Sequence, residues 1–311
     1  MQITEQMLGE VYAQVVGRRR ELELTLAALA AHRHVVLEGP PGTGKSTLLR
    51  AVSSALGLGF QFVEGNAELT PARLVGSFDP ARVLNEGYLV EAFLDGPLVA
   101  AMREGSLLYV EEINRIPEET LNVLITVMSE GEITVPRLGR IEAQRGFRLV
   151  AAMNPFDSVG TARISSAVYD RMCRIAVGYQ DLGDEATIVL RAAPEIDPVW
   201  VRNVVEVVRR TREHVDIRFG SSVRGAIDTV LVARSLASLR GTNVLQPSVG
   251  IDSALTALSG RIRLREGVSR SAEEVVVEIW NDVFRTSSDS SDSTGDLGKA
   301  QAPTGASTLR S

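Results

Sequence analysis

Residues 39–46 read Gly39-Pro40-Pro41-Gly42-Thr43-Gly44-Lys45-Ser46, which fits G-x-x-x-x-G-K-[ST] at every fixed position. Glycines at these places let the backbone turn tightly, so that successive amide N–H groups converge on an anion. Lys45 adds a point charge for outer phosphates, and the Ser46 hydroxyl is placed to meet a Mg²⁺ ion. The flanks agree. His34-Val35-Val36-Leu37-Glu38 is a short apolar run suited to a buried strand, and residues 46–56 read as a helix whose positive N-terminus faces the phosphates. An ordinary glycine-rich turn with a chance lysine would not need the whole pattern in this setting. The stretch implies a nucleoside triphosphate site on a strand–loop–helix unit.

Outward from that loop, between about residues 10 and 180, apolar runs alternate with helical stretches, the pattern of a parallel sheet flanked by helices. Strands are expected at 34–38, 60–64, 106–111, 147–152 and 173–177. From about 184 to 285 the strand signal disappears. Segments 197–214, 222–239 and 248–265 carry apolar residues at three-and-four spacing, which predicts a small helical domain. Residues 275–280 belong to one more element, either helix or strand. Segment 286–311 is polar and contains no aromatic, Ile or Val residue, so it is read as a disordered tail. The expected division is 1–180, 181–285 and 286–311.

Composition sets limits on partners. The chain has 311 residues and a net charge of −6, which weighs against nucleic-acid binding driven by overall charge. No apolar run reaches the ~18 residues of a membrane span, and the N-terminus lacks the regions of a signal peptide, so a cytoplasmic location is expected. The single cysteine, Cys173, cannot form an internal disulfide and is read as a buried strand thiol. His32, His34 and His214 show no metal-ligand spacing.

The second half of the site lies in Leu107-Leu108-Tyr109-Val110-Glu111-Glu112, an apolar strand ending in two acids. Such a pair can hold a Mg²⁺ shell with its first member and polarise an attacking water with its second. The loop Ile113-Asn114-Arg115-Ile116-Pro117 follows and leads into a helix. Together with Val16-Gly17-Arg18, Ala152-Met153-Asn154-Pro155, Ala167-Val168-Tyr169-Asp170-Arg171 and Gly220-Ser221-Ser222-Val223-Arg224, these pieces occur in the order of one family. The chain resembles a MoxR-type AAA+ ATPase of the helix-2-insert group over roughly residues 10–270.

That resemblance implies a P-loop α/β core with a parallel sheet flanked by helices, plus a small all-α lid. It implies ATP rather than GTP, with Mg²⁺, held by Gly17, Gly39, Pro40, Pro41, Gly42, Thr43, Gly44, Lys45, Ser46 and Thr47, and a metal shell from Ser46 and Glu111. Catalysis would involve Glu112 with the water, Asn154 and Arg224 as sensors of the γ-phosphate, and Arg171 as an arginine finger in a neighbouring subunit's site. Arg163 and Arg174 are competitors for that last role. One position departs from the family, which usually has Asp where this chain has Glu111. The extra methylene leaves metal binding through retained waters intact, and leaves room for slow hydrolysis or for a chain that mainly binds and switches.

Two insertions bear on the partner. Residues 66–106 include Phe78 and Tyr88, each a candidate client contact or a core residue, and residues 131–140 read as a hairpin, with Arg137, Arg140, Arg145 and Arg148 clustered there. Those arginines would suit a DNA translocase, whereas the acidic chain favours a protein client. The resemblance implies a homo-oligomeric ring, expected to be hexameric, that acts as a chaperone-like remodeller or maturation factor with a von Willebrand factor A domain partner. A nucleotide-dependent scaffold with negligible hydrolysis is the alternative from another class.

Overall fold

Apolar runs without polar alternation need cover on both faces, and the inner strands of a parallel sheet supply it. The computed structural model describes residues 5–155 and 166–292. Its first unit holds strands β1 (His34–Glu38), β2 (Phe60–Glu64), β3 (Gly76–Phe78), β4 (Phe93–Asp95), β5 (Leu107–Glu111), β6 (Glu132–Val135), β7 (Gly139–Glu142), β8 (Arg148–Met153) and β9 (Met172–Ala176). Five of them form one parallel sheet in the order β2-β5-β8-β1-β9. The register sets Glu64 opposite Glu111 and Glu38 opposite Met153, so the strands' C-terminal ends share one edge. In open α/β sheets that edge is where ligands bind.

The helices of this unit are α1 (Glu5–Gln14), α2 (Arg19–Ala30), α3 (Lys45–Ala55), α4 (Pro71–Val75), α5 (Pro80–Glu86), α6 (Pro97–Glu104), α7 (Glu118–Glu130) and α8 (Ser166–Tyr169). Alternating residues sort them to two faces. Val35, Leu37, Leu107, Tyr109, Val150 and Ala152 pack with α1, α2 and α3, whereas Val36, Leu108, Val110, Leu149 and Ala151 pack with α6 and α7. The two insertions leave the sheet as antiparallel pairs, β3 with β4 and β6 with β7.

Chain contacts divide between Asp181 and Leu182. The second unit contains α9 (Leu182–Ala192), α10 (Pro198–Arg210), β10 (Ile217–Phe219), α11 (Val223–Arg240), α12 (Pro247–Leu258), β11 (Arg263–Leu264) and α13 (Ala272–Asp292). Asp197 caps α10 by accepting from the Trp200 amide at 2.8 Å, and Pro198 suits the first helical position. One stripe of α10 buries Trp200, Val201, Val204, Val205, Val207 and Val208, each worth about 1.5–3 kcal/mol against exposure. The buried carboxylate of Glu185 is met by Arg212 at 2.8 Å and Arg209 at 3.3 Å, as a buried charge requires.

Three expectations need correction. The second unit is not all-α, because β10 and β11 pair antiparallel, and β11 takes residues that helical spacing assigned to the end of α12. Residues 275–280 are helical and α13 continues to Asp292, seven residues into the segment read as a tail; the rest of that segment lies outside the described residues. Cys173 is on a strand as expected but is exposed, because β9 is an edge of the sheet.

Candidate functional site

The phosphate-type loop joins β1 to α3. Gly42 and Gly44 adopt φ of 73° and 81°, the left-handed conformation that glycine enters without a Cβ penalty. The loop closes on itself: Lys45 Nζ donates to the carbonyls of Gly39 at 2.9 Å and Pro40 at 2.8 Å, and Thr43 Oγ1 donates to Pro40 at 2.9 Å. From beneath, Arg18 Nη2 donates to the carbonyls of Thr43 at 3.0 Å and Gly178 at 2.6 Å, while Nη1 pairs with Glu21 at 3.2 Å. Arg18 therefore ties the loop to the chain leaving β9, a role that sequence reading did not assign; its burial among carbonyls is invisible in a run of three arginines. Gly17 precedes it at φ 64°, and Pro41 and Thr47 are exposed.

The acids arrive where β5 ends. Ser46 Oγ donates to Glu111 Oε1 at 3.1 Å, so the two expected metal-shell residues, 65 positions apart, are in contact. The Tyr109 hydroxyl lies 3.1 Å from the same Ser46 oxygen. Tyr109 is fully buried, and burial is the main cause that raises its pKa above the ordinary value. Glu112 turns the chain at φ 52° and ψ 45° and pairs with Arg115 at 3.0 Å. Gly65 is required beside it, since a Cβ there would lie 2.4 Å from the Glu112 carbonyl oxygen and 2.8 Å from that of Glu111. The Gly65 amide in turn donates to the Glu111 carbonyl at 2.7 Å.

Asn154 follows β8 on the same sheet edge, and its carbonyl accepts from Asn114 Nδ2 at 3.4 Å. Arg171 immediately precedes β9; its guanidinium donates to Ser129 Oγ and to the Ala167 carbonyl, the latter at 2.8 Å. Arg174, midway along β9, pairs with Glu38 at the end of β1. Arg163 lies outside the described residues. Arg224 is exposed in the first turn of α11, in the second unit. The first unit thus gathers the loop, Ser46, Glu111, Glu112 and Asn154 at one edge.

The donor set suits a phosphate-bound magnesium ion. A serine hydroxyl and a carboxylate are hard oxygen ligands, and magnesium typically takes one or two carboxylates plus phosphates and waters. Among the described residues no group of three His, Cys, Asp or Glu side chains could hold a metal on its own. The N-terminus of α3 and Lys45 offer donors and positive potential for the phosphates.

The insertions are less basic in effect than their sequence. Arg140 pairs with Glu132 and Glu142 of its own hairpin, and Arg137 lies over the Tyr88 ring at 3.6 Å. Phe78 packs on the core and meets Tyr88 and Phe93 edge-on, each at 5.1 Å. Tyr88, Leu84, Leu89, Val90 and Leu94 remain exposed. Among the described residues no helix is long and apolar enough to cross a membrane.

Comparison with known proteins agrees with this construction. Residues 34–172 match the AAA domain of the dynein-related subfamily. An uncharacterized protein of Staphylococcus epidermidis (strain ATCC 35984) is 30% identical over 65% of this chain and 78% of its own length. A gas vesicle ATPase of Halobacterium salinarum is 27% identical over 78% of this chain and 72% of its own. The solved structure of a Thermotoga maritima RuvB mutant superposes with a TM-score of 0.55 at 19% identity, covering 78% of this chain and 70% of that one, a likeness of fold alone.

Proposed function

This chain belongs to the AAA domain family, dynein-related subfamily, and we propose that it is a cytoplasmic, ring-forming ATP hydrolase that remodels or matures a protein client. The observation that carries this reading is the 3.1 Å contact between Ser46 and Glu111 beneath a complete phosphate loop. Support for hydrolysis comes also from the gas vesicle ATPase relative.

In this reading the amides of residues 39–46 and Lys45 hold the triphosphate, and Lys45 exchanges its loop carbonyls for phosphate oxygens. Ser46 and Glu111 would hold the magnesium ion, which when bound supplies charge neutralisation for the phosphates. Glu112 orients a water and accepts its proton as the water oxygen bonds to the γ-phosphorus and the bond to ADP breaks. Asn154 is a polar neighbour that can donate and accept without changing charge. Arg171 serves the site of an adjacent protomer, where an arginine is worth ~10³–10⁵ in rate. The MoxR-like character, the hexamer and a von Willebrand factor A domain partner extend the same reading. The ion pairs of Arg140 and the stacking of Arg137 favour a protein client over DNA.

The ion pair between Glu112 and Arg115 favours one second reading, a nucleotide-dependent scaffold with slow turnover. Phosphate release separates the two. Glu112→Gln is expected to bind Mg-ATP like the parent and to lose turnover by ~10²–10⁴. Mixing it with Arg171→Ala protomers should restore part of the activity. Wild-type turnover in Glu112→Gln would remove the catalytic assignment, and a parent with no phosphate release above background would leave the scaffold.

A further inference from the structure

Tyr109 is the bulkiest side chain fully enclosed among the described residues. Its ring packs against Phe60 and Phe62 of the neighbouring strand β2, with centroids at 5.8 and 5.6 Å. Standing two residues before Glu111, it shares that residue's face of β5. A packing role alone would be served by phenylalanine. The hydroxyl is what lies at 3.1 Å from Ser46 Oγ, and the same Ser46 oxygen lies at 3.1 Å from Glu111 Oε1.

Counting protons orders this triad. Serine has one proton to give and two lone pairs to accept with, and a carboxylate only accepts. Both contacts are hydrogen bonds at once only if Tyr109 donates to Ser46 and Ser46 donates to Glu111. One lone pair of Ser46 Oγ then remains uncommitted.

We infer that Tyr109 is a positioning residue for the divalent cation: it donates to Ser46, fixes the rotation of that hydroxyl, and leaves a single lone pair for the metal. Tyr109 would not touch the cation or the nucleotide. The inference rests on the proposed Mg-nucleotide role of Ser46 and Glu111 and adds a third member to it. Partners of this outer kind typically cost 10–100-fold in metal affinity when removed.

The test is binding of a fluorescent ATP analogue, first in EDTA and then titrated with Mg²⁺, for the parent, Tyr109→Phe, Ser46→Ala and the double variant. Tyr109→Phe should bind metal-free nucleotide as the parent does, yet need about tenfold more Mg²⁺ for half-maximal tightening. In the Ser46→Ala background the same change should produce no further shift, because its route to the metal is gone. A purely structural role for Tyr109 would weaken metal-free binding and Mg²⁺ response together. Superimposable Mg²⁺ titrations for the parent and Tyr109→Phe overturn the inference, as does an equal shift in both backgrounds. A parent that binds no nucleotide in either condition overturns the ATPase reading and this one with it.

Discussion

Glu112 and Arg137 share a backbone conformation and almost nothing else. Both are non-glycine residues at positive φ, 52° and 66°, a region that costs such residues about 1–3 kcal/mol. Glu112 is held through its backbone neighbours and one ion pair, while its side chain stays partly exposed. Its carbonyl leaves no room for a Cβ at Gly65, its carboxylate pairs with Arg115, and the strand before it is buried. Arg137 stands at the exposed tip of the β6–β7 hairpin, covering the Tyr88 ring. Strain persists in the first place because the surroundings over-determine it, and in the second because a two-stranded turn tolerates it. The comparison teaches that the same positive φ can be enforced by close neighbours, as at the proposed catalytic turn, or merely tolerated, as at a hairpin tip.

Gly65→Ala would break the stronger side of this comparison. A Cβ at 2.4 Å from the Glu112 carbonyl cannot be accommodated unless β5's end moves. We expect turnover to fall by about 10²-fold or more, the scale of a 1 Å misplacement, with a stability loss of about 1–3 kcal/mol. Unchanged turnover in a phosphate-release assay would mean the acid turn is looser than its contacts imply.

An effect on stability alone, with no change of turnover expected, sharpens the comparison by separating the sheet from its acid end. His34 begins β1 and accepts from the Leu149 amide at 2.9 Å. Burial first, and then the nearby Arg33 charge, lower its pKa from 6.5 to about 4. A depressed folded-state value means stability is full above about pH 6.5 and drains as pH falls towards 4, by about 3 kcal/mol in total. Denaturant melts of His34→Gln across that range should be flatter by that amount; parallel curves would show that other groups set the acid limit.

The smallest effect belongs to the hairpin. Arg137→Gly relieves the positive φ, worth about 1–2 kcal/mol, and removes an exposed cation–π contact worth about 0.5–1 kcal/mol. The net change in unfolding free energy, read from denaturant melts, should stay within about 1.5 kcal/mol of zero. A loss as large as that of Gly65→Ala would erase the distinction.

Much of this was legible because it depends on local pattern. Strands at 34–38 and 60–64 are found at those bounds, and β5, β8 and β9 within a residue, since apolar runs between turn signals have few other options. Ser46 and Glu111 could be paired across 65 residues because the loop and the acid strand each carry a distinctive order of residue types. Features decided by neighbours were not legible. Strands of two and three residues, β10 and β11, are too short for periodicity to register. Arg140 reads as free positive charge until its strand partner brings Glu132 and Glu142 alongside. Tyr109 reads as one more apolar member of its run, because only the fold reveals where its hydroxyl ends. Cys173 misled for the same reason: nothing in its run says which strand will be outermost.

That outermost strand has a practical use. The chain's one thiol is accessible between Arg171 and Arg174, so a maleimide dye or nitroxide can be attached at a single known place without engineering. Such a reporter would sense the docking of another copy at the very rim where Arg171 is proposed to act, giving a spectroscopic signal of assembly that owes nothing to turnover.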